Sequence, residues 1–254
     1  MKVTFLGVGE ACDERLPNTA IWLESGFAES RRSVLLDCGF TAPPEYWRRC
    51  SDPEDLDAVW ISHFHGDHFF GLPALLLRFW EQKRTKPLAI VGQAGTEEKV
   101  RRAMELAYPN FLPKLAYSLD FCTASAEEAI EVAGLLWTAA SSGHGQSNLA
   151  VRIHDEQHSV FYSGDGMATD ETLQLAAGCD LVIHEAFRLT DATPGHGTVA
   201  QCIEMARSAR VPRLALVHMQ RDERRERVSE VLERIRRVKD IEVHLPLPGD
   251  ALSL

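Results

Sequence analysis

The sequence predicts one α/β domain of layered sheets and helices over residues 1–254, on three observations. Strand-like runs alternate with helical runs through both halves of the chain. No linker, internal repeat or low-complexity stretch divides it. Predicted strands also keep ending on a residue able to hold a metal ion, at His63 and its neighbours, His144, Asp165, His184 and His218.

Taken in order, residues 3–6, 19–23 and 33–36 read as strands, the third running into Asp37-Cys38-Gly39. Pro43-Pro44 and Pro53 punctuate a short helical connection, after which 58–62 is a buried strand. Over 72–82, Leu72, Leu75, Leu76, Phe79 and Trp80 share one helical face. A strand at 88–91 precedes a helix in which Thr96 reads as the cap, Glu97 and Glu98 suit the dipole, and Val100, Met104 and Ala107 point inward. Residues 115–122 and 130–140 each read as one strand, the second leading to His144. Strands 149–153 and 159–162 form a hairpin that delivers Asp165, and Gly164 and Gly166 on either side permit a sharp turn there. A short helix at 170–177, a strand at 181–183, a helix at 198–209 and a strand at 214–217 follow. The last helix, 222–238, carries Val228, Val231, Leu232, Ile235 and Val238 inward, and 241–247 closes the chain.

A chain of 254 residues with 45 % hydrophobic residues can bury a sizeable core. Its net charge of −10 disfavours a broad footprint for a long polyanion. The arginine-rich run 221–237 is interleaved with Asp222, Glu223, Glu226, Glu230 and Glu233, as on a solvated helix face. Six dispersed cysteines without a C-x-x-C pair suit reduced thiols. The N-terminus enters strand-like sequence directly, and no apolar run approaches ~18 residues. These features predict a soluble cytoplasmic protein without a membrane partner.

The chemistry concentrates in residues 59–73, where His63, His65, Asp67 and His68 place four potential ligands within six positions. A polar loop with scattered histidines does not account for that density, because the whole chain has ten histidines. Neutral imidazoles and a carboxylate suit Zn²⁺ or a similar divalent ion, and one ion needs only three or four donors. The surplus predicts two ions, His63 and His65 on one, Asp67 and His68 on the other.

In Ile61-Ser62-His63-Phe64-His65-Gly66-Asp67-His68, the trailing His144, Ser163-Gly164-Asp165 and Leu216-Val217-His218, the chain resembles the metallo-β-lactamase-fold hydrolases over nearly its whole length. The resemblance implies a four-layer αβ/βα sandwich with a two-metal site along one edge. It places His63, His65 and His144 on the first ion, Asp67, His68 and His218 on the second, and Asp165 between them. Two divalent ions, Zn²⁺ first with Mn²⁺ and Fe²⁺ as alternatives, are the implied cofactor. A water shared by such ions ionises near neutral pH, supplying a bridging hydroxide nucleophile. His184 stays outside the ligand set, as a hydrogen-bonder behind it or a buried histidine; His154, His158 and His244 read as structural or solvated.

Within that superfamily the chain looks closest to the ribonuclease Z branch, through His65 to Pro73, Leu36 to Gly39, Tyr162 to Asp165, His184 to Phe187 and Gly195 to Thr198. That branch implies that His196 faces the scissile phosphate, with Glu185 orienting it; Asp67, His196 and Glu185 form the catalytic set. The chain departs from the branch in three places. Only twenty residues separate His144 from Asp165, too few for the branch's transfer-RNA-gripping arm. Phe40-Thr41-Ala42-Pro43 replaces a glycine-rich stretch, and Gly197 replaces a serine. The expectation is therefore a binuclear phosphodiesterase for a small or cyclic phosphodiester. Alternatives are an armless ribonuclease Z-like endonuclease, and a lactone or thioester hydrolase or mono-iron sulfur oxygenase on the same fold. Nucleic acid is a disfavoured partner, and a homodimer is open.

Overall fold

A computed structural model describes residues 1–26, 31–126 and 128–254. The first half runs β1 (Lys2–Gly7), β2 (Ala20–Ser25), β3 (Arg32–Leu36), α1 (Ala42–Trp47), β4 (Ala58–Ile61), α2 (Gly66–Phe69), α3 (Leu72–Glu81), β5 (Leu88–Gly92), α4 (Thr96–Ala107) and β6 (Leu119–Thr123). The second half runs β7 (Ile130–Val132), β8 (Leu135–Ser141), β9 (Leu149–His154), β10 (Ser159–Tyr162), α5 (Asp170–Ala176), β11 (Leu181–Glu185), α6 (Val199–Ser208), β12 (Arg213–Val217), α7 (Arg221–Arg237) and β13 (Glu242–His244). A last strand, β14 (Ala251–Ser253), crosses back to pair antiparallel with β1.

Two mixed seven-stranded sheets result, ordered β14-β1-β2-β3-β4-β5-β6 and β13-β12-β11-β10-β9-β8-β7. In each, hairpin-linked strands are antiparallel, and the strands reached through helical crossovers are parallel. The inner faces meet in a core that includes Phe5, Trp60, Trp137, Tyr162, Ile183 and Val217. Trp60 and Trp137 bring their rings to 6.0 Å across it. On the outer face of the first sheet, Leu35, Val59 and Ile61 pack with Tyr46, Leu72, Leu76, Phe79 and Met104 of the helices. On the outer face of the second, Phe161, Val182 and Leu214 pack with Val199, Ile203, Ala206 and Val231. This is the expected αβ/βα sandwich. β4 reads Ala-Val-Trp-Ile without alternation because both its faces are covered.

Several local expectations are corrected. The run 130–140 is two strands, because Ala133 (φ 53°) and Gly134 (φ 68°) turn the chain between them. The strand expected from 115 begins only at Leu119, behind a 3-10 turn at Leu112–Lys114. Thr96 is the first helical residue, not the cap; its hydroxyl donates to the Gln93 carbonyl while Gly95 takes the cap position. Ala107 and Leu232 are exposed, since α4 and α7 each touch the core along a narrower stripe than the apolar pattern suggests. In α7 the arginines find acidic neighbours, Arg227 with Glu223 and Glu230, Arg225 with Asp222. The hairpin of β9 and β10 consumes the chain between His144 and Asp165, leaving only 155–158 at its tip.

The turn after β3 is packed with no room for a side chain. A Cβ on Gly39 would fall 1.8 Å from the Asp67 carbonyl oxygen, whereas one on Gly145 would meet nothing within 4 Å. Gly39→Ala is expected to cost about 2 kcal/mol or more in urea unfolding, as overpacking does. Gly145→Ala should stay within about 0.5 kcal/mol of the parent; equal costs would contradict the packing argument.

Candidate metal centre

The C-terminal ends of β4, β8, β10, β11 and β12 converge on one edge, where Leu149 N–H donates to Ser62 O across the two sheets. His63 follows β4, and the single turn of α2 presents Asp67 and His68 from the same loop. His63 Nε2 lies 2.9 Å from His65 Nδ1, and His144 Nε2 lies 3.3 Å from that same atom. Beside them Asp67 Oδ2, His68 Nε2 and His218 Nε2 form a triangle with edges of 3.2, 3.2 and 3.3 Å. Asp165 stands between the groups. Its Oδ1 is 3.2 Å from His68 Nε2 and 3.4 Å from His218 Nε2, while its Oδ2 is 3.8 Å from His63 Nε2 and 4.0 Å from His144 Nε2.

Donors at bonding distance around a tetrahedral Zn²⁺ stand roughly 3.3 Å apart; the second group matches this at 3.2, 3.2 and 3.3 Å, and the first brackets it from 2.9 to 4.0 Å. Buried Asp165 Oδ1 is within reach of two rings yet aligned with neither as a hydrogen bond. The donor set therefore fits two divalent ions, and all seven expected ligands are brought together. Residues 32–219 match the model of the beta-lactamase superfamily domain. The chain belongs to this family. It is a metal-dependent hydrolase of the metallo-β-lactamase fold.

Among its relatives in the family, an Escherichia coli ribonuclease BN is 28 % identical over 273 residues, covering 86 % of this chain and 89 % of the relative. Solved structures show the same fold. The metallo-beta-lactamase fold protein YhfI from Bacillus subtilis superposes with a TM-score of 0.78 at 21 % identity, over 99 % of both chains. Human tRNase Z, short form, gives 0.77 at 24 % identity, over 100 % of this chain and 99 % of the other. A diphosphatase from the PhnP family gives 0.74 at 18 % identity, over 100 % and 97 %. Among the described residues no helix is long and apolar enough to cross a membrane.

A second layer of residues aims the donors, and its centre is Asp37, which the sequence shows only as part of a turn. Asp37 is fully buried with a left-handed backbone (φ 60°). Its Oδ2 lies 2.7 Å from His68 Nδ1 and accepts from Ser62 Oγ and Tyr162 OH, each at 2.7 Å, while its Oδ1 accepts from Ser62 N–H at 2.8 Å. With Nδ1 so engaged, His68 turns Nε2 to the centre. Ser62 Oγ also meets His63 Nδ1 at 3.0 Å, and His144 Nδ1 lies 2.9 Å from Gly195 O. Asp165 is set by Gly164 (φ 58°) and Gly166 (φ 108°), with its N–H on Asn148 Oδ1 at 3.2 Å. A carboxylate closing an apolar strand at Asp37 was the available signal. Ser62, Tyr162 and Asn148 gave none.

His196 and Glu185 meet beside this centre. Glu185 Oε1 accepts from Gly166 N–H at 3.0 Å and Gly197 N–H at 2.8 Å, tying the Asp165 turn to the His196 loop. His196 Nδ1 is 3.3 Å from the same oxygen but out of line for a hydrogen bond, so the proximity is real and the bond is not formed in this geometry. The ring is held instead by Phe187, stacked at 4.4 Å and 24°. His184 points away from the donors; its Nδ1 meets Glu185 O at 2.8 Å, within 3.5 Å of Cys202 Sγ. His154, His158 and His244 find local partners elsewhere.

Burial and neighbouring charge split the imidazoles. Burial, with the charge of His68 beside it, pulls His63 down to about 2. Burial would also lower His68 and His218, but Asp165 and the other nearby carboxylates outweigh it and hold both above the ordinary histidine value. Burial would raise Asp67 and Asp165, yet the facing histidines keep both below the usual carboxylate range. In the metal-free protein both rings thus hold their protons more tightly than an isolated histidine does. A raised histidine stabilises the fold below its unfolded value of about 6.5 and loses that contribution as pH rises through the folded value. Metal uptake near pH 7 should release protons from these rings, read as a dependence of calorimetric heat on buffer ionisation enthalpy. Heats independent of buffer would contradict the assignment.

Proposed function

We propose that this chain, as one domain over 1–254, is a binuclear metal-dependent phosphodiesterase acting on a small or cyclic phosphodiester. The observation that carries the reading is His196, a partly exposed imidazole backed by Phe187 and Glu185, with a nitrogen in the same close group as Asp165 and His218 yet not needed to complete either donor set. His63, His65 and His144 would hold one ion, Asp67, His68 and His218 the other, with Asp165 shared. Zn²⁺ is the first expectation, and Mn²⁺ or Fe²⁺ suit the same donors. Bound there, the ions supply hydroxide from water near neutral pH and offset the phosphoryl charge.

The chain's own groups do the rest. His196 faces the phosphoryl oxygens and donates a proton to the departing alkoxide. Glu185 fixes the His196 loop through Gly197 N–H, and the carboxylate of Asp67 would accept a hydrogen bond from the attacking water. The short β9–β10 hairpin, with only 155–158 at its tip, supports a small ester over a folded RNA. An armless ribonuclease Z-like nuclease is the second reading, favoured by the ribonuclease BN likeness. Six free cysteines support a reducing cytoplasm.

Reconstituted with Zn²⁺ or Mn²⁺, the protein should hydrolyse bis(p-nitrophenyl) phosphate and leave lactone and thioester panels untouched; the reverse preference would sink the proposal. Asp165→Ala should lose metal stoichiometry together with activity, and two ions retained per chain would contradict the shared role. His196→Ala should keep both ions by elemental analysis but slow diester cleavage ~10²-fold or more, as loss of a general acid does. Unchanged turnover would remove the strongest argument for phosphodiesters.

A further inference from the structure

The two exposed aromatic side chains among the described residues are Phe40 and Phe70, 49 % and 59 % open to solvent. Both stand against the loop that carries the donors. A Cβ on Gly66, the residue between His65 and Asp67, would meet Phe70 Cδ2 at 2.9 Å and Phe40 Cε1 at 3.6 Å. The two rings therefore share the bare backbone of Gly66 at the rim of the metal centre. Phe70 is held from behind, 5.5 Å from the buried ring of Phe69, which meets Phe64 edge-on at 5.6 Å and 83°. Across the centre, exposed Met167 follows Asp165 by two residues and packs against Gly143, the neighbour of His144. The floor of the site is ionic, and beside the imidazoles of His65 and His196 its edge carries apolar surface from Phe40, Phe70 and Met167.

A phosphodiester brings one anionic phosphate and two organic groups. With the phosphate on the floor, an organic group that extends past Gly66 meets the rings of Phe40 and Phe70, which offer no strong hydrogen bond. Ring faces bind a flat heterocycle, with little preference among bases. We propose that Phe40 and Phe70 form a stacking platform for a nucleobase carried by the substrate, so that nucleotide diesters are preferred to alkyl diesters. The inference rests on the phosphodiesterase reading above and specifies its substrate class.

The test uses two diesters with the same leaving group, thymidine 5′-p-nitrophenyl phosphate and ethyl p-nitrophenyl phosphate, on metal-reconstituted protein. Calorimetric binding of thymidine 5′-monophosphate against inorganic phosphate reads the platform without turnover. In the Phe40→Ala, Phe70→Ala double variant, the thymidine-to-ethyl ratio of kcat/KM should fall ~10-fold and nucleotide binding should weaken equally, with phosphate binding within ~2-fold. Phe40→Tyr with Phe70→Tyr should restore the ratio, and elemental analysis should find two ions in every variant. An unchanged ratio overturns the platform while leaving the phosphodiesterase reading intact. So does a variant that only loses a dimer in sedimentation, which would make the face a contact between copies. A parent protein that cleaves neither diester overturns the phosphodiesterase reading and the platform with it.

Discussion

The structure depends on one carboxylate, Asp165, whose two oxygens face different groups of imidazoles. It is nearly wholly buried, and the second sheet places it between donors supplied by both. Without an anion there, the ring nitrogens of five imidazoles would crowd at about 3 Å around the centre with only the carboxylate of Asp67 facing them, since Asp37 meets His68 from behind. With it, each group has the composition and spacing of a divalent-ion site. The opposed shifts of Asp165 and of His68 and His218 are two sides of this contact, since attraction between the charged forms outweighs the burial of either.

Holding that carboxylate and its partners constrains the backbone around them. Asp37 and His218 sit in left-handed conformations that side chains rarely adopt, and glycines flank Asp165 where the chain turns most sharply. The hydrogen bonds of Asp37 show what the arrangement secures. One buried carboxylate orients His68 and, through Ser62, reaches His63, so a donor of each group is tied to the same anchor. Glu185 ties the Asp165 turn to the His196 loop in the same way. The reactive edge is thus a set of loops joined by buried carboxylates, while the two sheets behind it supply hydrophobic rigidity.

The layering was legible because buried parallel strands announce themselves as uninterrupted apolar runs, and the helices between them as spaced apolar positions. The ligand set was legible because the donors follow strand ends in chain order. The errors were local and share a cause. Ala133 and Gly134 break a run that apolar content alone makes continuous, and β14 is too short and exposed to signal a strand before it pairs with β1. The spacing of Leu232 points inward, but among the apolar residues of α7 only Val231 is fully buried, with Ile235 partly so. Asp37, Ser62 and Tyr162 lie 25 or more residues from at least one partner, and no periodicity encodes such a meeting.

Residue type and local pattern carry the metal chemistry of this protein: which side chains can bind metal, in what order they arrive, and that they follow the ends of strands. These are consequences of residue type and short-range pattern, which the chain carries before it folds. Only the tertiary structure decided which oxygen of Asp165 faces which group, which nitrogen of each ring turns inward, and that His184 points away while His196 stays at the rim. It also decided that Phe40 and Phe70, thirty residues apart, stand together over Gly66. Those outcomes depend on packing two sheets face to face, and the distances that matter there arise between residues remote in the chain.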